Sequence, residues 1–141
     1  MNYQPRRVGQ VEQQRIRAVA VRVEEALREA GLPMNENHQG LDYQGGVEIE
    51  VDLFDGVSGV YVDWSVSSGW YEEVRPRALL GDAGDPRFRQ LNLAESAMRL
   101  AIASILEASG LCVESDRDDM RPLALFVSDR NRSEEEGGEE K

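Results

Sequence analysis

The stretch whose reading decides the fold is Val47–Val66, VEIEVDLFDGVSGVYVDWSV. Val47, Ile49, Val51 and Leu53 alternate with Glu48, Glu50 and Asp52. Beyond FDGVSG, Val60, Val62, Trp64 and Val66 alternate with Tyr61, Asp63 and Ser65. A period of two marks a strand with one apolar face, and Asp55-Gly56 carries turn chemistry, so two antiparallel strands are predicted. Pairing Leu53 with Val60 sets Val51 opposite Val62, Ile49 opposite Trp64 and Val47 opposite Val66. It also sets Glu50 opposite Asp63 and Asp52 opposite Tyr61. A one-residue slip would turn the apolar face to water, whereas a two-residue shift preserves it and changes only which acid meets which.

Upstream, Val8, Val11, Ile16, Val19, Ala20, Val23, Leu27 and Ala30 recur mostly at three- and four-residue steps and end at Gly31, which predicts an amphipathic core helix. Glu24 precedes Arg28 by four positions, the favourable order for a helical ion pair. The polar run LPMNENHQGLDYQGG follows, with a short strand expected near Leu41–Tyr43. Downstream, Trp70–Val74 reads as a third strand, kept short by Pro76. Asp85-Pro86 opens a second helix as N-cap and first turn. Its stripe is Phe88, Leu91, Ala94, Met98, Ala101, Ile102, Ile105 and Leu106, ending at Gly110. Leu93, Ala97 and Leu100 widen that apolar face, so this helix is either central to the core or part of a subunit interface. LCVES (111–115) and PLALFVS (122–128) read as a hairpin around DRDDM. The Gly-Leu exits of EALREAGL (25–32) and SILEASGL (104–111) echo each other.

The expected fold is therefore α+β, two amphipathic helices packed on an antiparallel sheet in the order α-β-β-(β)-α-β-β. It forms one domain over residues 8–128, and residues 129–141 form an acidic tail with little to bury, expected to be disordered. At 141 residues one core suffices.

Net charge is −11, from 16 basic and 27 acidic residues. Residues 32–85 hold eleven acids against two arginines, while residues 1–31 and 86–110 are weakly basic. Such a chain is repelled by nucleic-acid phosphates and anionic lipid. No apolar run reaches the roughly 20 residues of a membrane helix, and MNYQPRRVGQ has no apolar segment after its arginines; a cytoplasmic protein is the expectation. Chemistry is narrowed by scarcity. Cys112 and His38 are the only residues of their kinds, too few for a structural zinc site and with nothing local to pair them as a nucleophile and base. No GxxxxGK[ST] phosphate loop occurs. No cofactor is expected.

Acids remain. Asp116, Asp118 and Asp119 offer hard oxygens to a divalent cation but lack calcium-loop spacing. Glu50 with Asp63 has the composition of an acid/base pair. Like charges opposed across strands are destabilising, so the acidic face is either plainly solvated or a docking surface for a basic protein. In the docking case Glu48, Glu50, Asp52 and Asp63 meet Arg or Lys, with Tyr61, Trp70 and Tyr71 as amphipathic anchors. The alternative is a small enzyme or ligand-binding domain with a pocket near Trp64, Trp70 and Tyr71.

The order helix, strands, helix, two strands over residues 10–128, in a small acidic chain, is similar to that of bacterial type III secretion chaperones, with an acidic tail where that family has a final helix. The resemblance implies a homodimer that binds an extended segment of another protein without catalysis. Small acidic immunity proteins, which neutralise a toxin by surface charge, fit the same composition.

Overall fold

The computed structural model describes residues 6–35, 44–81, 84–115 and 117–129. Its elements are α1 (Gln10–Glu29), β1 (Gly46–Asp52), β2 (Gly59–Ser65), α2 (Ser68–Leu79), α3 (Pro86–Ala108), β3 (Cys112–Glu114) and β4 (Leu125–Ser128). The strands form one antiparallel sheet in the order β1-β2-β4-β3. The fold is α+β.

The apolar alternation does what its period dictates. Val47, Val60 and Val62 turn inward with Leu125 and Val127, and meet Ile16, Val19, Val23 and Leu27 of α1 and Ile102 and Leu106 of α3. Val11, expected on the buried stripe, is exposed: five residues before Ile16, it falls about 140° around the helix from that residue, off the buried line of Ile16, Val19, Val23 and Leu27. Both helix exits are built alike. Gly31 and Gly110 have positive φ, and the amides of Leu32 and Leu111 donate to the carbonyls of Leu27 and Leu106. The Gly31 and Gly110 amides donate to Arg28 and Glu107, which completes a Schellman cap in each case. The Gly-Leu echo is thus a repeated helix stop.

Two expectations are corrected. The hairpin register is shifted by two residues: Val47 faces Trp64, Ile49 faces Val62, and Val51 faces Val60. Glu48 therefore lies opposite Asp63, and Glu50 opposite Tyr61 rather than Asp63. The turn is the physical reason. Leu53 and Asp55 bond to Val8 and Arg6, the Phe54 amide donates to the Asp52 carboxylate and the Phe54 carbonyl accepts from Val57, so β1–β2 pairing closes at Asp52 and Gly59. Gly59 has φ +144°, and a Cβ there would collide with the Phe126 ring of β4, so β2 starts at a glycine. Trp70–Val74 is not a strand but part of α2. Ser67 caps it by accepting from the Trp70 amide, and the four-residue step from Trp70 to Val74 places both against Val66, Leu91 and Phe88. A strand would have left that small second core open.

α3 starts as expected at Asp85, whose carboxylate accepts from the amides of Arg87 and Phe88 and from Arg77. Of its wide apolar face, Leu91, Ile102 and Leu106 are buried, whereas Leu93, Ala97 and Leu100 are exposed. The expected strand at Leu41–Tyr43, His38, and tail residues 130–141 lie outside the described residues. Asp129, expected to begin the tail, is held by Arg15 at 3.0 Å. Cys112 is half-buried in β3. Among the described residues no helix is long and apolar enough to cross a membrane.

Candidate interaction surface at the acidic sheet edge

The sheet face away from α1 is built on two aromatic rings. Tyr61 of β2 and Phe126 of β4 are register partners with centroids 5.5 Å apart in an edge-on arrangement. Both are buried, because the β3–β4 connection folds back across them. Arg121 lies 4.4 Å over the Tyr61 ring, and Arg117 lies 4.8 Å over Phe126. The Tyr61 hydroxyl donates to the Val57 carbonyl at 2.7 Å. Tyr61 is therefore a support beneath the surface and not the exposed anchor its position in the sequence suggests.

Arg121 also answers the repulsion among the β1 acids. Its guanidinium reaches Glu50 at 2.8 and 3.0 Å and Asp52 at 2.7 Å, and it is bonded to Asp118. The hydrogen bond to Arg121 holds the Glu50 carboxyl below its usual range. The amide of Met120, and then Arg121, do the same for Asp118. Hydrogen bonds to Glu50 chiefly push the Arg121 pKa up. Asp118 is thereby committed to a side-chain bond that fixes the loop, and Asp116 lies outside the described residues. Among the described residues no cluster of three acidic, His or Cys side chains is disposed to hold a metal ion.

A second group sits at the other end of the hairpin. Asp63 accepts from Arg99 of α3 at 2.7 Å, and Glu48 accepts from the Ser65 hydroxyl. Glu95, one turn before Arg99, is raised above its usual pKa by burial, and Asp63 and Glu48 push the same way. Among the described residues, Arg121 is bonded to Glu50, Asp52 and Asp118, Arg99 is bonded to Asp63, and Glu48 and Glu95 lie beside that second pair. The surface is structured and still strongly negative.

Beside it lies an open groove of about 810 Å³. It wraps over the outer edge of β1 and touches both sheet faces: Val47, Ile49 and Val62 on the helix side, Glu48, Glu50 and Asp63 on the acidic side. Ala20, Val21 and Glu24 of α1 form one wall, and Arg121, Pro122 and Leu123 the other. Met34 and Asn35 close one end; Asn35 is buried, and its Nδ2 has no acceptor among the described residues.

The structure brings together Glu48, Glu50, Asp52, Tyr61 and Asp63. It does not bring Trp70 and Tyr71 to them. Trp70 is on α2, packed in the second core under Arg87 at 4.4 Å, and Tyr71 is exposed on the same helix. Trp64 and Trp70 both pack against that second core, so they fill it and do not line the groove. Arg121, Arg99 and Asn35 are not marked by the sequence. The one available signal is an arginine closing the acidic run DRDDMR. Compared with known proteins, the chain matches no family model, no curated protein and no solved structure.

Proposed function

We propose that this chain is a non-catalytic protein-binding domain, of the adaptor, chaperone or immunity kind, whose acidic β1–β2 surface takes up a partner bearing Arg or Lys. The observation that carries this reading is the excess of carboxylate over guanidinium around a groove already shaped by α1 and β1. Arg121 and Arg99 position the acids, Arg121 lowering the pKa of Glu50 and Asp118, and the remaining negative potential favours basic partners and speeds their encounter. Acid/base catalysis by Glu50 with Asp63 is disfavoured: they are not register partners, and Arg121 lowers the Glu50 pKa, whereas a general acid needs it raised. The same proposal includes a cytoplasmic setting and a homodimer. The exposed row Leu93, Ala97 and Leu100 on α3 is the surface a second copy would cover.

The test is capture on the immobilised protein at low and high salt, read by mass spectrometry, against the folded double variant Glu48→Lys, Glu50→Lys. A basic protein retained at low salt by the parent and lost from the variant is expected. Retention indifferent to both salt and charge reversal overturns the reading.

A further inference from the structure

Among the described residues, the outer edge of β1 is paired at its two ends and has no backbone partner between them. At one end the Val47 amide donates to Pro33 and its carbonyl accepts from Asn35, each at 2.8 Å. At the other, the Leu53 carbonyl accepts from Val8 at 2.8 Å, and the Asp55 amide donates to Arg6 at 2.7 Å. Hydrogen-bonding direction alternates along an antiparallel strand, so Val47, Ile49, Val51 and Leu53 all turn their amides and carbonyls away from β2. Ile49 and Val51 find no backbone partner on that side among the described residues. From Val47 to Leu53 is roughly 20 Å at about 3.4 Å per residue, which leaves space for a strand of about four residues. The groove lies along this gap, and at its end is the Asn35 side chain, whose Nδ2 has no acceptor among the described residues.

We infer that the gap takes a short extended segment of the partner protein by strand addition, in which alternate residues are Lys or Arg and the others small aliphatics. This rests on the reading above of an acidic protein-binding surface. Backbone pairing with Ile49 and Val51 fixes the segment, and the pleat sorts its side chains. Residues level with Ile49 and Val51 fall toward Ala20 and Val21 of α1, an apolar wall. Residues level with Glu48 and Glu50 fall toward carboxylates. Two other occupants are disfavoured by charge. A second copy pairing edge to edge would set Glu48, Glu50 and Asp52 against the same acids, and residues 133–141 of this chain carry five glutamates against one lysine.

The test is amide-resolved NMR titration of the full chain with the capped peptide Gly-Lys-Val-Lys-Val-Gly. A second peptide is N-methylated at alternate residues, so that it keeps its charge but cannot pair. The expected result is slowed exchange at the Ile49 and Val51 amides, at least tenfold weaker binding of the N-methylated peptide, and a similar loss in Val51→Pro. That variant removes an outward amide where an edge strand tolerates proline. Equal, salt-sensitive binding of both peptides overturns strand addition and leaves the acidic-surface reading standing. Binding of neither peptide overturns strand addition, while the charge-reversal capture judges the surface separately. Ile49 and Val51 amides already protected in the free protein also overturn it, because the edge is then taken.

Discussion

Arg121→Met tests whether the acidic face is held together from within. The arginine side chain is 18% exposed and its partner Asp52 12%, at 2.7 Å, so removing the cation strands a largely desolvated carboxylate. Breaking one side of such a pair costs about 3–5 kcal/mol when fully buried. Glu50 is 61% exposed, so its bond contributes a few tenths of a kcal/mol after solvent screening. The cation over the Tyr61 ring is worth about 1 kcal/mol, part of which a methionine sulfur retains. The net loss should be about 3 kcal/mol at pH 7, or about 10 °C in Tm for a chain of this size, read by thermal and urea melts. The sign with pH follows from the lowered pKa values of Glu50 and Asp118. Their stabilisation is complete above the unfolded carboxyl range near pH 4 and is lost as pH falls through the lower folded values. The gap between parent and variant should therefore narrow at pH 3. A variant within 0.5 kcal/mol of the parent at pH 7 (a margin of about the usual surface-substitution scatter), or an unchanged gap at pH 3, would refute the reasoning.

Gly59→Ala should destabilise by about 2–4 kcal/mol, since it combines a positive φ with a collision against buried Phe126; a denaturant melt checks it. Glu95→Gln should raise Tm at pH 7 and have no effect at pH 3. The folded pKa of Glu95 is raised, so its ionisation opposes folding only above the unfolded value. A lower Tm at pH 7 would contradict that sign.

The fold was legible wherever a local period controls it. Alternation over Val47–Leu53 and Val60–Val66 identifies the hairpin and its inward face, and the Asp85-Pro86 and Gly-Leu signals bound α3 within a residue or two. Register was not legible, because a shift by two leaves the apolar pattern intact; the turn selects it, with Leu53 and Asp55 bonded to Val8 and Arg6 and Asp52 and Gly59 left as the last β1–β2 partners. α2 was not legible either. Five residues with two aromatics suit strand and helix alike, and the choice falls to the apolar patch of Val66, Leu91 and Phe88 waiting to be covered.

For the candidate surface, sequence determined the acids and their common side, because pleating assigns alternate residues to one face whatever the rest of the chain does. Only tertiary structure decided that Arg121 and Arg99 meet those acids, that Tyr61 lies beneath them, and that β1 is, among the described residues, an edge with a gap. Those facts depend on contacts between residues 36 and 71 positions apart. Such contacts are set by how a whole layer closes over a core, for which no short stretch of sequence carries a signal.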